Sequence, residues 1–457
     1  MPSGEASFSG ASQQTPTMPT PAIEMQEQAP RRATTPRKSA PKQAAHNGNG
    51  KSAGKAATRS AAGTISRSNG HAAFRAQIAQ MREEACARYR VLTQAAAPIR
   101  VMARMVRELE DACHELGIPA EVMGEEIINR TIGDVDLRRV SAKDDGPQFV
   151  SLADDMGLAL PGELIDGQRA TGKTYRWIHE QMLAFERQLL ARRWDLRMYD
   201  IAAVGNPLLR EMLSAYAERE WGYTVPPAQI FLSLGALDGL DKFFRGWSTT
   251  LRNAGERDIA VIFPAPGFNV PEWQVMSLGM RLHRMTTRVE DNFKITPAML
   301  AQALDEAPDI RAIYLTVSNN PTAFSYTPAE LRALCDMLLA CEREVLIVAD
   351  LAYIGTGAPE EDHARMAELR RPGVYERTVF VSSFSKTHTV TGDRCGWVGF
   401  GDPKMAASAQ AAWSNCNAAL PADWQLRYMA YVKLFTERPE LGERIRALYT
   451  HRRKRLV

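Results

Sequence analysis

The sequence predicts an α/β fold: a three-layer α/β/α sandwich around a mixed, mostly parallel sheet, preceded by helices and a disordered tail. From about residue 230, short β-rich runs alternate with stretches of helical pattern. The runs are almost continuously apolar, which is typical of strands that helices cover on both faces. The six predicted strands are residues 230–234, 259–263, 312–317, 345–349, 379–382 and 397–400.

Helical periodicity marks the segment before the sheet. Residues 73–116 carry a helical pattern, in which Pro98 predicts a break between two helices. A Gly-Ile-Pro sequence that begins at Gly117 then provides a helix stop. We therefore expect the following regions after the tail: a helical N-terminal region over 71–165, a large α/β domain over 166–430, and a connecting helix within 431–457.

Composition sets residues 1–70 apart as a tail. They contain almost no large apolar residue, so they cannot bury enough surface to offset the entropy of ordering, and we expect disorder. Residues 31–70 hold nine Lys or Arg and no acid, whereas residues 1–30 hold three Glu and no Lys or Arg. The tail thus contributes +6 to the total charge of +3, and residues 71–457 carry −3. A spacer is the simplest interpretation, and contact of the basic half with nucleic acid or an acidic partner is the alternative.

Sequence patterns argue against a membrane or secreted protein. The chain has no run of about 18–20 apolar residues of the kind that crosses a membrane. Its N-terminus lacks the charged start and apolar run of a secretory signal. The cysteines are scattered without a CxxC pair, which indicates reduced thiols in a cytoplasmic protein rather than a disulfide framework or a metal site. The six are Cys86, Cys113, Cys335, Cys341, Cys395 and Cys416.

Polar and charged residues follow the predicted strands, where sheets of this kind bind ligands. Lys386 follows the fifth strand, with Ser383 three residues before it and Arg394 eight residues after it. Asp350 follows the fourth strand, and Tyr353 comes three residues later. An aspartate beyond a buried strand is costly unless it is paired, so Asp350 predicts a cationic partner.

Four further segments carry candidate ligand-binding residues. The third strand is followed by an Asn-Pro turn that contains Asn320, and Phe268 follows the second strand. Gly235 joins the first strand to a helix, and a glycine there lets backbone N–H groups at the helix start face an anion. Upstream, Tyr199 precedes an Asn-Pro pair at residues 206–207, which predicts a helix cap and first turn.

Together these segments resemble the class I/II aminotransferases, which are pyridoxal-phosphate (PLP) enzymes of fold type I. The segment around Lys386 resembles the family signature S-x-S-K…G-x-R-x-G. The turn at Asn320 resembles N-P-T-G, with Ala323 in place of the glycine, and the segment after Tyr199 resembles Y…G-x-P-x-L-R. The resemblance covers about residues 199–400 in the family's order and approximate spacing. It implies that the large domain is the PLP-binding domain.

The resemblance also implies a role for the residues around the cofactor ring. Lys386 would form the Schiff base with PLP and, once released by substrate, would move a proton as the general base. Asp350 would pair with the pyridinium nitrogen, and Phe268 would stack on the ring. Tyr353 and Asn320 would donate to the phenolic oxygen.

Six residues are implied for the phosphate group of PLP. Five belong to the same chain: Gly235, Ala236, Leu237, Ser383 and Arg394. The sixth is Tyr199, whose counterpart in the family reaches the phosphate in the neighbouring subunit's site. The resemblance therefore implies a homodimer.

The implied activity is transfer of an amino group between an amino acid and a 2-oxo acid. A decarboxylase or a C–S lyase is the first alternative, because PLP supplies the chemistry and the protein chooses which bond breaks. A non-catalytic PLP-fold regulator is the second, although residues 73–150 show no clear helix-turn-helix.

A different class of protein is suggested by the segment from Gly167 to Thr174, which matches the P-loop pattern G-x-x-x-x-G-K-[ST]. A P-loop must follow a buried strand, and residues 160–166 contain no adequate apolar run. A P-loop NTPase would also leave Lys386, Asn320 and Tyr199 unexplained. We therefore favour the aminotransferase.

The family normally continues beyond its phosphate-binding arginine into a smaller domain, which supplies the arginine that pairs with the substrate's α-carboxylate. Here residues 425–456 resemble the connecting helices, and residues 449–455 resemble the start of that domain. We expect Arg452, Arg453 and Arg455 to form a solvated helix face. We also expect that the sequence lacks most of the small domain and that its activity is reduced as a consequence.

Overall fold

The computed structural model describes residues 61–89, 98–127, 173–200 and 202–455, together with residues 140, 143, 145, 148, 164, 165, 168 and 169. Residues 1–60 of the predicted tail, and most of the segment 128–172, lie outside the described residues. The fold and the site described below lie in the compact unit Ser66–Val457.

Three helices lie in the described residues before position 128. They are α1 (Ala61–Tyr89), α2 (Pro98–Glu115) and α3 (Ala120–Glu126). The predicted break between two helices at Pro98 agrees with the start of α2 at this residue, and proline suits the first turn because its missing N–H would have no partner there. The predicted stop at Gly117 is also confirmed, since this glycine has a φ of +67°, the left-handed conformation of a helix end. α1 begins within the last ten residues of the predicted tail.

A short hairpin lies where a P-loop would need a buried strand. β1 (Leu164–Ile165) and β2 (Gln168–Arg169) pair antiparallel as a separate two-stranded sheet, and α4 (Lys173–Ala191) follows. Gly167 and residues 170–172 of the pattern lie outside the described residues. A P-loop joins a strand of a buried central sheet to a helix. The part of the pattern that the structure describes has no such strand, which argues against the NTPase.

The main sheet has seven strands, which are β3 (Ile230–Leu234), β4 (Ala260–Ala265), β5 (Arg281–Thr286), β6 (Ile310–Thr316), β7 (Leu346–Asp350), β8 (Thr378–Ser383) and β9 (Cys395–Phe400). Their order in the sheet is β3-β9-β8-β7-β6-β4-β5. All neighbours run parallel except β9, which is antiparallel to both β3 and β8. The predicted fold class is confirmed.

Ten further helices complete the described part of the chain. They are α5 (Pro207–Trp221), α6 (Ala236–Asn253), α7 (Val270–Ser277), α8 (Pro297–Glu306), α9 (Pro328–Ala340), α10 (Pro359–Leu369), α11 (Phe384–Thr387), α12 (Pro403–Asn417), α13 (Ala422–Glu437) and α14 (Pro439–Lys454). The predicted cap of α5 is confirmed, because the Asn206 side chain accepts from the Leu208 N–H at 2.9 Å. None of the described helices is both long enough and apolar enough to span a membrane.

The central strands face two separate cores, because successive side chains of a strand point to opposite faces. Ile313 and Ile347 pack on the first face, which is covered mainly by α5, α8, α9, α10, α13 and α14. Tyr314 and Val348 pack on the second face, which α6, α7 and α12 cover. Both faces of the sheet are therefore apolar, which explains the uninterrupted apolar runs in the sequence.

One strand of the main sheet is absent from the predicted set. β5 is the edge strand beside β4, and its sequence is mostly polar. Arg281 pairs with Asp309, and Arg284 pairs with the buried Glu272 at 2.7 Å. Charged side chains are common on edge strands because they discourage pairing with other chains. The polar composition that suits an edge also hides the strand from a search for apolar runs.

The last helix corrects one expectation. α14 buries Leu441 and Ile445 on the first face of the sheet. Arg452, near its end, forms two hydrogen bonds of 2.7 and 2.8 Å with the buried carboxylate of Asp145. The expectation that Arg452 belongs to a solvated face is therefore wrong, because this arginine is the ion-pair partner of a buried acid.

Candidate active site

A cavity of about 450 Å³ opens at the carboxyl ends of the parallel strands. It collects side chains from distant parts of the sequence because β3, β4, β6, β7 and β8 all end at this edge of the sheet, and β9 begins there. Nine of the eleven predicted site residues line it: Ala236, Leu237, Phe268, Asn320, Asp350, Tyr353, Ser383, Lys386 and Arg394.

Lys386 lies on α11, the one-turn helix that follows β8 directly. Ser383 is the last residue of β8, and it lines the cavity together with Ser385. Both serines are buried, whereas Lys386 is partly exposed. The change from strand to helix at this point turns the lysine toward the space beyond the sheet edge.

Asp350 is the last residue of β7, and only 7% of its surface is exposed. Its carboxylate accepts hydrogen bonds from the Tyr314 hydroxyl and, at 2.9 Å, from the Ala352 N–H. Burial raises the pKa of Asp350 above its ordinary value, and the two hydrogen bonds act in the opposite direction. No ion pair involves Asp350 within the described residues, so a cationic ligand atom would supply the partner that the sequence predicts.

Tyr314 contacts the site residue Asp350 and was not among the predicted site residues. It lies on β6, it is fully buried, and its ring stacks on Phe263 with 4.9 Å between the ring centroids. Its hydroxyl donates to Asp350, which holds one carboxylate oxygen in a fixed direction. A tyrosine in the middle of a buried strand needs a partner for its hydroxyl, and that requirement was the available signal.

The Asn-Pro turn is held by Asn319, and Asn320 is left to line the cavity. The Asn319 side chain donates to the Pro266 carbonyl at 3.1 Å, which ties this turn to the loop that carries Phe268. Ala323 has a φ of +61°, in the left-handed region that glycine adopts more readily. The alanine thus keeps the conformation that glycine would suit, at a cost of roughly 1–2 kcal/mol.

Gly235 leaves space for a neighbouring side chain, and its N–H is used within the chain rather than offered to the cavity. Its N–H donates to the Ser233 carbonyl at 2.8 Å, and the residue does not line the cavity. A β-carbon at position 235 would overlap the guanidinium of Arg394. The backbone angles of Gly235, φ +82° and ψ +167°, are essentially restricted to glycine. The structure adds a steric role for Gly235, and its place in a phosphate site stays a prediction.

The start of α6 completes the electropositive end of the cavity. Ala236 and Leu237 are the first two residues of this helix and line the cavity. Backbone N–H groups in a first turn have no partner inside the helix, and the helix dipole favours an anion beside them. The Arg394 guanidinium, which donates to the Thr391 carbonyl at 3.0 Å, lies against the same turn.

Tyr199 is a predicted site residue that stands outside this arrangement. It does not line the cavity, and 84% of its surface is exposed. The structure of the single chain therefore does not bring it together with the other site residues.

Several cavity residues were not predicted: Ala103, Leu240, Val270, Thr316, Ala352, Ser385 and Thr391. Thr316 and Ala352 adjoin strand ends, and Ser385 and Thr391 lie close to Lys386 in the sequence, so the strand-end argument could have found them. Ala103 comes from α2 and carries no such signal.

Comparison with known proteins agrees with the geometry of the cavity. The sequence profile of the family described as aminotransferase class I and II matches residues 201–456, which is more than half of the chain. The chain belongs to the class I and II aminotransferase family. The predicted family is thereby confirmed.

The chain matches its curated relatives over only part of their length. An aspartate aminotransferase of Geobacillus stearothermophilus is 32% identical over 194 residues, which cover 42% of this chain and 46% of that protein. An aspartate/prephenate aminotransferase of Cereibacter sphaeroides is 31% identical over 197 residues, or 43% and 46% of the two chains. The chain thus spans about half the length of these relatives. The crystal structure of Pyrococcus protein A1 shares the fold, with a TM-score of 0.50 and 23% identity over 61% of this chain and 67% of that one.

Members of this family use PLP, and the residues of the cavity fit that cofactor. The buried carboxylate of Asp350, without a cation among the described residues, suits a protonated ring nitrogen. Lys386 suits covalent attachment to an aldehyde. Arg394 and the start of α6 suit a phosphate dianion, because they combine a planar fork of donors with a helix N-terminus.

Replacement of Gly235 by alanine tests the steric role of this glycine. Gly235→Ala should lower the affinity for PLP at least about tenfold, because the new methyl group displaces a guanidinium that would form charge-assisted hydrogen bonds to phosphate. The measurement is a titration with PLP, followed by its absorbance.

Gly255→Ala is the matched control for this substitution. Gly255 also has a positive φ, +97°, but a β-carbon there meets no atom within 4 Å. Both variants should lose stability through backbone strain of roughly 1–3 kcal/mol, and only Gly235→Ala should lose PLP affinity. Equal PLP affinity in the two variants would contradict the assignment.

Proposed function

We propose that this chain is a PLP-dependent aminotransferase that moves an amino group between an amino acid and a 2-oxo acid. The observation that carries the proposal is that Lys386 and the buried Asp350 line the same cavity as Arg394 and the start of α6. A covalent attachment point, an acid for the ring nitrogen and a phosphate site are the parts that the cofactor requires. Family membership supports the same conclusion.

Two residues of the cavity would have direct roles in the reaction. PLP, when bound, supplies an electron-accepting ring that stabilises negative charge on the substrate α-carbon. Asp350, oriented by Tyr314, would keep the ring nitrogen protonated. Lys386 would hold the cofactor and, after substrate displaces it, its Nζ would take the proton from the α-carbon and deliver it to the cofactor side.

The remaining cavity residues would position the cofactor. Phe268 would cover one face of the ring, and Tyr353 and Asn320 would donate to its phenolic oxygen. Ser383 and Arg394 would bind the phosphate, together with the start of α6. These contacts would fix the angle between ring and substrate, which decides whether transamination, decarboxylation or elimination follows. A panel of amino acids with product identification separates these reactions.

We also propose a homodimer in which Tyr199 reaches the partner subunit's cavity. The 84% exposure of Tyr199 and its position outside its own cavity support this arrangement. Four further apolar side chains nearby in the sequence are exposed as well: Leu183, Leu190, Trp194 and Met198. Contiguous exposed apolar patches are typical of interaction surfaces, and the proposed homodimer requires that these side chains form one. The six unpaired cysteines support a cytoplasmic location.

For the domain organisation we propose a PLP-binding large domain over residues 166–430, with residues 71–165 as a helical N-terminal region. The small helical cores around Tyr89 and Cys113, formed within 74–127, support the second part. The disordered tail 1–70 and the role of residues 431–457 as a connecting segment stay predictions.

Lys386→Ala tests the attachment point. The unmodified protein mixed with PLP should show a visible absorbance band, and borohydride should fix the cofactor covalently on a peptide that contains Lys386. The variant should lose both, because no other lysine lines the described part of the cavity. Lys173→Ala, which removes the lysine of the P-loop-like pattern, is the control and should leave both unchanged. A normal spectrum in Lys386→Ala would refute the attachment.

Asp350→Asn tests the role of the buried charge. The amide keeps the size of the carboxylate but cannot hold a protonated ring nitrogen, so the transamination half-reaction should slow at least about a hundredfold. Asp362→Asn is the control, since burial also raises the pKa of Asp362 but this residue pairs with Arg365 outside the cavity. The control should lose stability and keep the rate of the PLP-loaded protein. A similar loss of rate in both variants would count against the proposal.

Mixed dimers test the contribution of Tyr199. Lys386→Ala and Tyr199→Ala chains should each be weak alone, the second because PLP affinity falls roughly tenfold or more when a hydrogen bond to phosphate is lost. Refolding the two together should restore activity, because a mixed dimer holds one site with both residues intact. No recovery in dimers shown to be mixed would mean that Tyr199 acts within its own chain or not at all.

A further inference from the structure

The helix that carries Lys386 is too short to define its own conformation. α11 has four residues, and a single helical turn is unfavourable in isolation because nucleation fixes several dihedral angles for one hydrogen bond. The position of Lys386 must therefore be imposed by contacts from other elements.

Successive backbone carbonyls of this turn have partners from different parts of the chain. The Phe384 carbonyl accepts from the His388 N–H at 3.1 Å, which closes the turn itself. The Ser385 carbonyl accepts from the Thr391 hydroxyl at 3.0 Å. The Lys386 carbonyl accepts from the Tyr449 hydroxyl at 2.9 Å. The third contact comes from α14, the last described helix, 63 residues along the chain.

The side chains on either side of Lys386 are anchored in the first face of the sheet. The Phe384 ring packs between Tyr216 and Tyr428, with centroid distances of 5.3 and 5.2 Å. His388 is fully enclosed, and its two ring nitrogens share hydrogen bonds with Tyr216 and Thr387. Burial lowers the pKa of His388 well below its ordinary value. These contacts fix both ends of the turn but not the carbonyl of Lys386.

α14 is well placed to fix that carbonyl. Leu441, Ile445 and Leu448 hold the helix in the core, and Arg452 ties its far end to Asp145. Tyr449 and Arg452 are three residues apart and therefore lie on the same side of the helix. The core contacts before Tyr449 and the ion pair after it therefore fix this part of α14, and with it the position of the Tyr449 hydroxyl.

We propose that Tyr449 is a positioning residue for Lys386, and that α14 holds the lysine-bearing turn from outside the cavity. The Tyr449 hydroxyl restrains the peptide unit that follows Lys386, and through it the direction in which the lysine side chain leaves the backbone. The consequence for catalysis rests on the proposed function. The restraint on the turn does not, because it is a property of the chain alone.

Tyr449→Phe removes the hydroxyl and keeps the ring. Two quantities decide the outcome: amide hydrogen exchange of the peptide that contains residues 384–388, measured without PLP, and the rate of the half-reaction with an amino acid. Exchange should become about fivefold faster, as expected for loss of one net hydrogen bond. The maximal half-reaction rate should fall about three- to tenfold, while the amino-acid concentration at half saturation stays the same.

Tyr375→Phe is the matched control. The Tyr375 hydroxyl also donates to a backbone carbonyl, that of Thr224 at 3.1 Å, and Tyr375 is likewise partly buried but lies outside the cavity lining. The control should change neither quantity. The proposal is overturned if neither exchange nor rate changes in Tyr449→Phe. It is also overturned if exchange becomes faster while the rate stays the same, or if Tyr375→Phe has an equal effect.

Failure of the proposed function is distinguishable from failure of this inference. If the unmodified chain takes up no PLP at Lys386, the proposed function fails, and the exchange measurement still decides whether Tyr449 holds the turn. Faster exchange limited to Tyr449→Phe then supports the restraint, and unchanged exchange overturns it.

Discussion

A sheet buried on both faces can display polar groups only where its strands end, and the site depends on this constraint. Unpaired charges inside the sheet would cost several kcal/mol each, so the central strands are apolar on both sides until their last residues. Asp350 and Ser383 are the final residues of β7 and β8. Because the parallel strands all end at the same edge, residues far apart in the sequence share one cavity. The same burial that forces the strands to be apolar also raises the pKa of Asp350 and creates its need for a cation.

Small residues matter as much as charged ones at this edge. Gly235 leaves the space in which the Arg394 guanidinium lies, and Gly396 of β9 approaches the backbone of Gly235 so closely that a β-carbon there would come within 2.6 Å of it. This end of the cavity, where we propose that phosphate binds, is therefore shaped by the absence of side chains. A further contact at the cavity is the hydrogen bond from Asn319 to the Pro266 carbonyl, which joins the loop of Asn320 to the loop of Phe268.

The sequence is informative about the fold and about residues that lie at strand ends, because both follow from local patterns. The apolar runs located six of the seven main strands to within about two residues, and nine of eleven site residues line the cavity. Contacts that depend on the tertiary arrangement were not accessible. The contact of Tyr449 with Lys386 leaves no local signature. The position of Tyr314 in a buried strand signals that its hydroxyl needs a partner, but not that the partner is Asp350. The pairing of Arg452 with Asp145 joins residues 307 positions apart, so a surface arginine was the natural but wrong expectation.

The antiparallel direction of β9 also affects the distance between Lys386 and Arg394, the two residues that would bind the two ends of the cofactor. β8 and β9 are neighbours, and Ser383 stands opposite Gly396 in the sheet. Lys386 and Arg394 therefore belong to one loop whose two ends are fixed by the same pair of strands. The two strand ends limit how far apart these side chains can lie, and the contact from Tyr449 of α14 holds the Lys386 turn within that limit. The length of this one connection between β8 and β9 therefore limits the distance between the lysine and the arginine that would bind the two ends of the cofactor.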